Sequence, residues 1–284
     1  MGRRTIAAGV LLVAIGAGAQ AGALEGQDQE SRVLSDRFDV SLGWYGTDFS
    51  TDVAVGFEGI LGTLIRFEDE LGLEEKQDVF RLEGHWRFSR RSAIYFGYVQ
   101  FDRSGRRTID EPIDFENLRF TGELDTIFDQ KLANLGYRFS FYNNGKMEAG
   151  ISAGFSIYEF TAGVAGNAEL LDGNGDVIVG TGELRSATER ITAPVPTFGI
   201  FLNYAVTPKL IFRYSGSFFN FDSSDFEARL TDSAGSIQWF FVRNVSIGGG
   251  VSSTRVRVAD FGRSRPYEVD YRYSGFRVFF GFVF

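Results

Sequence analysis

The ten residues from Gly275 to Phe284 alternate so regularly that they constrain the fold more than any other segment. One face of an extended strand over this segment carries an apolar stripe of Phe276, Val278, Phe280, Phe282 and Phe284. The other face carries Gly275, Arg277, Phe279, Gly281 and Val283. A soluble protein gains little from an aromatic stripe that water can reach. A strand with lipid on one face and a lumen on the other requires this period of two.

The stripe resembles the last strand of bacterial outer-membrane β-barrels, where that strand also serves as an assembly signal. The resemblance implies that the barrel-assembly machinery recognises Phe280, Phe282 and Phe284 during biogenesis. It also implies an integral location in the outer membrane, in contact with outer-membrane lipids that include lipopolysaccharide.

The beginning of the chain has the pattern of a cleaved export signal. Arg3 and Arg4 precede a small and apolar stretch over 5–18, and small residues spaced for cleavage follow over 19–23. We therefore expect a signal peptide over 1–23, a polar periplasmic tail over 24–35 and one barrel domain over 36–284.

The composition supports strands that alternate between lipid and a polar interior. The chain is 15% aromatic, with 30 Phe, yet its mean hydropathy is only −0.08. After the export signal no run of 18 apolar residues suggests a transmembrane helix. The absence of cysteine excludes disulfides and thiolate chemistry, and a formal charge of −8 argues against nucleic-acid binding.

Four short turn signals divide the barrel domain into hairpins. They lie at 89–91, 142–145, 206–209 and 243–244, with longer polar segments between them. Short periplasmic turns that alternate with long extracellular loops predict an all-β, antiparallel, up-and-down barrel of about ten strands. Eight or twelve strands are the alternatives, because 50–77 either extends the first hairpin or contains another pair. The predicted strand centres are 37–48, 78–88, 92–103, 124–141, 146–161, 190–204, 209–221, 229–242, 245–258 and 268–284.

The same alternation directs a set of polar side chains into the lumen. We predict a lumen polar network of Asp39, Arg81, Glu83, His85, Arg87, Tyr95, Arg138, Glu148, Arg213 and Arg277. If Phe139 pairs with Met147, then Arg138 lies opposite Glu148. If Trp86 pairs with Ile94, then His85 lies opposite Tyr95.

The width of the lumen decides between a filled interior and a pore. Side chains just fill a barrel of about eight strands, whereas about sixteen strands leave an aqueous channel. A ten-stranded barrel lies near the filled end, so we expect a polar, largely filled lumen and a structural or surface-interaction role. The alternative is a porin-like narrow channel for small solutes or ions. The excess of arginine in the network would favour anions in such a channel.

An enzyme is the third alternative, because small outer-membrane barrels include proteases and lipid-modifying enzymes. Such mechanisms usually need a histidine as general base, and His85 is the one histidine of the chain. It lies close to the predicted periplasmic turn at 89–91, whereas omptin-type protease sites lie at the extracellular mouth. We expect a hydrogen-bonded lumen histidine, no catalytic residue, no metal and no cofactor.

Three loop features have simple interpretations. The acidic residues of 68–75 predict a solvated outer loop, with divalent cations that bridge lipopolysaccharide phosphates as the alternative. The segment Asp172–Asp176 resembles a calcium loop, but Val177 stands where glycine is required, so we expect a hairpin around an Asn-Gly turn. Pro194 and Pro196 predict the point where the sixth strand enters the membrane.

Three segments resemble a group of predicted proteobacterial outer-membrane proteins without assigned activity, which have an OmpA-type small-barrel layout. The segments are Phe67–Leu73, Arg81–Phe88 and Asp102–Asp110. The resemblance implies fold and location, and it carries no catalytic or ligand-binding residue.

Overall fold

The computed structural model describes residues 34, 36–55, 65–115, 118–171, 177–262 and 266–284. The predicted signal peptide, and all of the predicted tail except Leu34, lie outside these residues. Within the described ranges, no helix has both the length and the apolar character needed to cross a membrane.

Strands dominate the described chain because apolar and polar residues alternate over long stretches. In chain order the elements are β1 (Phe38–Val55), β2 (Ile65–Arg66), α1 (Phe67–Glu70), β3 (Lys76–Ser89), β4 (Ser92–Phe115), β5 (Leu118–Asn143), β6 (Met147–Leu171), β7 (Val177–Thr207), β8 (Leu210–Asp222), β9 (Phe226–Val242), β10 (Val245–Asp260) and β11 (Tyr267–Val283). Ten of these strands are long, while β2 has two residues and α1 is a single turn.

The ten long strands form a closed antiparallel ring. Each pairs with the next along the chain, β3 follows β1 in the ring, and β11 pairs with β1. The prediction of ten strands is therefore confirmed, and the alternatives of eight and twelve are wrong. In the described part of 50–77, β1 runs on to Val55 and the short β2 pairs with it at Val53↔Ile65, so this region extends the first hairpin.

The β1–β11 seam closes the ring without interruption. Its register runs from Asp39↔Val283 to Val55↔Tyr267. Phe284 forms the last rung: its carbonyl accepts from the N–H of Phe38 at 3.0 Å, and its N–H donates to the Phe38 carbonyl at 2.9 Å. Backbone groups that would otherwise form two open edges are thus paired with each other.

The terminal stripe faces outward, as predicted. Its five apolar side chains are between 40% and 69% exposed, whereas Phe279 and Val283 on the other face are buried. The same outward band continues around the ring through Leu42, Phe80, Leu135, Phe155, Ile200, Phe218, Ile237 and Val251. Near the short turns it ends in exposed aromatic residues that include Trp86, Phe88, Tyr137, Tyr204 and Trp239. That is the position of an interfacial aromatic girdle.

One side of the barrel is much taller than the other. Strands β4 to β7 have 24 to 31 residues, whereas β8 has 13. About 10 residues suffice to cross the hydrocarbon layer, so the tall wall continues well beyond the outward apolar band.

The prolines of β7 lie just beyond the point where β8 stops pairing with β7. Pro194 and Pro196 pair with Ile157 and Phe155 of β6. The β7–β8 ladder ends at Phe198↔Phe218, two residues after Pro196. On the β8 side, the lack of an N–H on each proline therefore removes no hydrogen bond from the described ladder. The predicted turn at 172–176 lies outside the described residues, but its flanks pair as expected at Leu170↔Val179 and Leu171↔Val177.

Deletion of Phe284 is expected to reduce the yield of folded, membrane-inserted barrel, because it removes the last rung of the seam and the end of the stripe. The measurement is the fraction of heat-modifiable barrel on a gel after expression and after refolding into vesicles. Phe261→Ala, which removes an exposed phenylalanine beyond the seam, is the matched control and should leave the yield unchanged. Equal yields for the deletion and the control would contradict the expectation.

Candidate functional site in the barrel interior

The barrel interior has two layers of different chemistry. At the end with the short turns, mainly polar and charged residues surround a cavity of about 150 Å³. Towards the other end, where β4 to β7 extend beyond the remaining strands, an apolar cluster fills the barrel. Eight of the ten residues of the predicted lumen polar network line this cavity, and the other two, Arg87 and Glu148, adjoin it through the lining residue Asn203. We call this first layer the polar layer.

The most buried ion pair of the polar layer joins Arg87 to Glu148. Their Nη2 and Oε1 atoms lie 2.7 Å apart, and Glu148 is only 1% exposed. The Ser140 hydroxyl donates to Oε1 at 2.5 Å, and the Asn203 amide donates to Oε2 at 3.0 Å. Every oxygen of this buried carboxylate is therefore hydrogen-bonded, which offsets the cost of removing it from water.

The prediction that Arg138 lies opposite Glu148 is wrong. Arg138 pairs with Ser152, and Phe139 pairs with Ile151 rather than with Met147. The reason is the position of the turn: the ladder runs past a bulge to Asn143↔Glu148, so the turn is centred about two residues later than the predicted turn at 142–145. The predicted pairing of Trp86 with Ile94, and hence of His85 with Tyr95, is confirmed.

Two further ion-pair groups occupy the polar layer. The guanidinium of Arg213 contacts the carboxylate of Asp39. Glu83 lies between two arginines, with Arg81 Nη2 at 2.5 Å and Arg277 Nη1 on its other oxygen. Arg81 and Glu83 are neighbours on β3, whereas the pairs of Asp39 with Arg213 and of Glu83 with Arg277 join strands that are distant in the sequence. Such pairing offsets the cost of burying charge.

Sequence reasoning missed several members of this layer. Asp232 accepts a hydrogen bond from the Thr254 hydroxyl at 2.7 Å, and Gln238 donates to Ser246 at 2.7 Å. The alternation of β9 contains the missing signal: its even-numbered residues from Asp232 to Gln238 face inward, between the exposed Thr231, Ile237 and Trp239.

His85 lies among charged side chains. The charges that act on it belong to Asp39, Arg213, Arg138 and Arg87. Within the part of the chain that the structure describes, no Ser or Thr hydroxyl forms a hydrogen bond with its imidazole. No group of three or more His, Asp or Glu side chains suited to a metal ion occurs among the described residues.

The second layer is built around a segment that folds into the barrel. Ile65, Phe67, Leu71 and Leu73 are at most 2% exposed, and we call residues 65–73 the plug segment. The Phe67 ring packs edge-on against Phe128, with centroids 5.5 Å apart. The buried core around it includes Tyr45, Phe49, Phe101, Phe120, Phe128, Tyr158, Phe160, Tyr271 and Tyr273.

The expectation of a fully solvated acidic loop is therefore wrong at Glu68. Asp69, Glu70, Glu74 and Glu75 are exposed as predicted, but Glu68 is buried. Its Oε2 accepts the Thr51 N–H at 2.8 Å, and its Oε1 accepts from Arg103 Nη1 at 2.8 Å. Burial of the apolar residues at 65, 67, 71 and 73 brings the segment inward. Glu68 is buried with them, and the Arg103 guanidinium compensates its charge.

Arg103 of β4 holds the plug segment in place. Its side chain has no exposed surface, and besides Glu68 it donates to Thr51 Oγ1 at 2.6 Å. Its guanidinium lies over the rings of Phe49 and Phe128, with centroid distances of 4.2 and 5.2 Å. A buried cation with a carboxylate, a hydroxyl and two aromatic faces links β1, β4, β5 and the plug segment.

A small apolar cluster lies at the end of the lumen with the short turns, on the side of the polar layer away from the plug segment. Leu34, the one described residue of the predicted polar tail, is 3% exposed. It belongs to a buried cluster with Ala205, Ile211, Phe240 and Val283. Apolar contacts therefore lie both above and below the polar layer.

The outer surface carries a charged belt above the apolar band. Arg255 and Arg272 are about half exposed, and their Nη2 atoms lie 2.8 and 3.1 Å from Asp270. Burial alone would raise the pKa of Asp270, but hydrogen bonds from these two arginines outweigh it and lower that pKa. Neighbouring strands add Arg66, Arg229 and Arg257 to the belt.

Comparisons with known proteins identify the type of barrel. No family model matches the chain, and no curated protein matches it. The fold is similar to the outer membrane protease OmpT of Escherichia coli, at 12% identity over 88% of this chain and 97% of that chain, with a TM-score of 0.56. OprG of Pseudomonas aeruginosa matches at 10% identity over 88% and 96%, with a TM-score of 0.41. The likeness to OmpT shows the fold of an outer-membrane β-barrel, while the resemblance to a particular group of predicted proteins stays a prediction.

Replacement of Arg103 by alanine is expected to destabilise the barrel by about 3–5 kcal/mol, because it leaves the Glu68 carboxylate buried without its cation. Urea unfolding in vesicles, followed by tryptophan fluorescence, measures this loss. The double variant Glu68→Gln with Arg103→Met should recover part of it. Arg106→Ala, which removes an exposed partner of Asp125, is the control and should change little. A single Arg103 variant as stable as the control would refute the assignment.

Proposed function

We propose that this protein is a closed outer-membrane barrel with a filled lumen and a structural or surface-interaction role. The observation that carries the proposal is the buried Arg103–Glu68 pair, which fixes the plug segment inside the barrel. A conducting pore needs a continuous aqueous path. The apolar cluster around the plug segment interrupts such a path directly above the polar layer.

The polar layer supports the same role. Its ion pairs join strands that are not neighbours in the ring, for example β1 to β8 through Asp39 and Arg213. Ion pairs that bridge walls brace a ring in which each strand otherwise touches only its two neighbours. The Leu34 cluster adds a cap on the periplasmic side.

The outer surface supports contact with lipopolysaccharide. Arg255 and Arg272 lie beyond the apolar band, at the level expected for the lipid headgroups. Arginine recognises phosphate through paired N–H groups, so these side chains suit lipid A phosphates or the inner core. The exposed carboxylates of Asp69 and Glu70 offer a second route, through divalent cations that bridge to those phosphates. Recognition of the terminal stripe by the barrel-assembly machinery belongs to the same proposal.

A narrow channel is the second candidate, and the cavity of about 150 Å³ is the observation that favours it. If the plug segment swings outward, the cavity joins the extracellular side. The two candidates therefore differ in the state of the plug segment and in the cap at Leu34.

In planar bilayers the wild-type protein is expected to show no steady single-channel openings, because apolar clusters lie on both sides of the polar layer. Arg103→Ala should increase the frequency of brief openings, since it loosens the plug segment. Arg106→Ala is the matched control. Steady wild-type openings that disappear on replacement of Arg138 or Arg213 would replace the filled-lumen proposal with the channel.

We also propose that the barrel is not an enzyme, although the similar OmpT is a protease. His85 lies in the polar layer beneath the apolar cluster, so a substrate at the extracellular mouth does not reach it. Neither peptide nor lipid hydrolysis is expected from the refolded protein, and His85→Gln should match the wild type in both assays. A hydrolase activity of the wild type that His85→Gln abolishes would overturn this proposal.

A further inference from the structure

Arg138 differs from the other arginines of the polar layer in its partners. Arg81, Arg87, Arg213 and Arg277 each contact a carboxylate. Among the described residues, Arg138 contacts no carboxylate and donates no hydrogen bond. Its guanidinium lies over the rings of Tyr95 and Phe201, with centroid distances of 4.9 and 5.3 Å.

Contact with aromatic faces leaves the hydrogen-bonding capacity of Arg138 unused. The five N–H groups of a guanidinium lie in its plane, whereas the π-contacts are made above and below that plane. The in-plane edge therefore needs acceptors from elsewhere. Arg138 lines the cavity of the polar layer, and so do the side chains of Asn134, Ser152 and Thr197.

Several arginine nitrogens of the residues around this cavity have no hydrogen-bond partner. Four of them are buried in the described chain: Arg81 Nη1, Arg138 Nε, Arg213 Nε and Arg277 Nε. These four have almost no accessible surface, so a ligand in the cavity does not touch them. The Nη groups of Arg138 likewise donate no hydrogen bond, but they retain accessible surface and can donate to an acceptor in the cavity.

The charged side chains that line the cavity have an excess of positive charge. Four arginines face the cavity, Arg81, Arg138, Arg213 and Arg277, against the three carboxylates Asp39, Glu83 and Asp232. Without His85, the described lining thus carries one positive charge more than negative charge. Uncompensated charge in the interior of a barrel is costly, and one anion of single charge would remove the excess.

We propose that the cavity beside Arg138 binds one small, singly charged anion, such as chloride or dihydrogen phosphate. The size is suitable: about 150 Å³ is roughly five times the volume of a water molecule, so such an anion fits with some of its hydration. The anion would accept hydrogen bonds from Arg138 and from Ser152 or Asn134. The site goes beyond the proposed function, because a filled barrel and a channel can each hold it.

The first experiment uses bromide as the probe, because its anomalous scattering locates it directly. The protein is refolded from urea in the presence of sodium bromide, so that the anion enters before the lumen closes. Crystals of the wild type should show an anomalous peak within contact distance of the Arg138 guanidinium. Arg138→Gln should show none, and Arg90→Gln, a change at an exposed turn arginine, should retain it.

The second experiment measures affinity. Wild-type protein should gain thermal stability with increasing chloride, and separately with phosphate, at constant ionic strength set by a bulky anion. The gain should saturate, and Arg138→Gln should weaken the apparent affinity at least tenfold, while Arg138→Lys should retain part of it. Heat-modifiable gel mobility identifies folded samples, so a variant that fails to fold is replaced by Arg138→Lys in the comparison.

Three results would overturn the proposal. One is an empty cavity in wild-type crystals grown from bromide. Another is bromide only at surface arginines, which would mark an adventitious ion only. The last is an equal stability gain for wild type and Arg138→Gln. Conductance is not part of either experiment, so failure of the anion site is distinguishable from failure of the closed-barrel proposal.

Discussion

Closure of the β1–β11 seam is the constraint on which the rest of the structure depends. Inside a membrane an unpaired backbone N–H or carbonyl costs several kcal/mol, so a sheet is stable there only without edges. The continuous register from Asp39↔Val283 to Val55↔Tyr267 meets this condition. Closure with ten strands also sets the width of the interior. Every inward side chain must then find its contacts within that width.

The interior meets this demand in two different ways. Near the short turns the inward positions carry long charged side chains, whose ion pairs span the lumen. Towards the other end, the inward positions carry aromatic rings, yet the side chains of the strands alone do not fill the interior. The plug segment supplies the missing apolar volume through Phe67, Leu71 and Leu73. Glu68 is the one ionised group that enters with it, and Arg103 matches it with a charge, hydrogen bonds and ring contacts.

The sequence predicted those features that depend on local periodicity. The strand positions, the number of strands, the outward stripe and the inward direction of Arg277 all follow from a period of two and from turn residues. Register is harder, because a turn centred one residue later shifts every partner by two residues and leaves the same alternation. The predicted turn at 89–91 has the right centre, so His85 pairs with Tyr95, whereas the turn predicted at 142–145 is centred about two residues too early for Arg138. The bulge between Ser140 and Tyr142 adds a shift that no alternation reveals.

The plug segment was beyond sequence reasoning for a related reason. Acidic residues dominate the composition of 68–75, and this composition predicts a solvent-exposed loop. Its burial depends on Arg103 and Phe128, which are 35 and 61 residues away from Glu68 and Phe67 and belong to other strands. A contact of this kind becomes visible only once closure has brought β1, β4 and β5 around a common axis. The excess of positive charge around the cavity beside Arg138 arises in the same way: each arginine is ordinary within its own strand, and the excess exists only where the four strands that carry these arginines face one cavity.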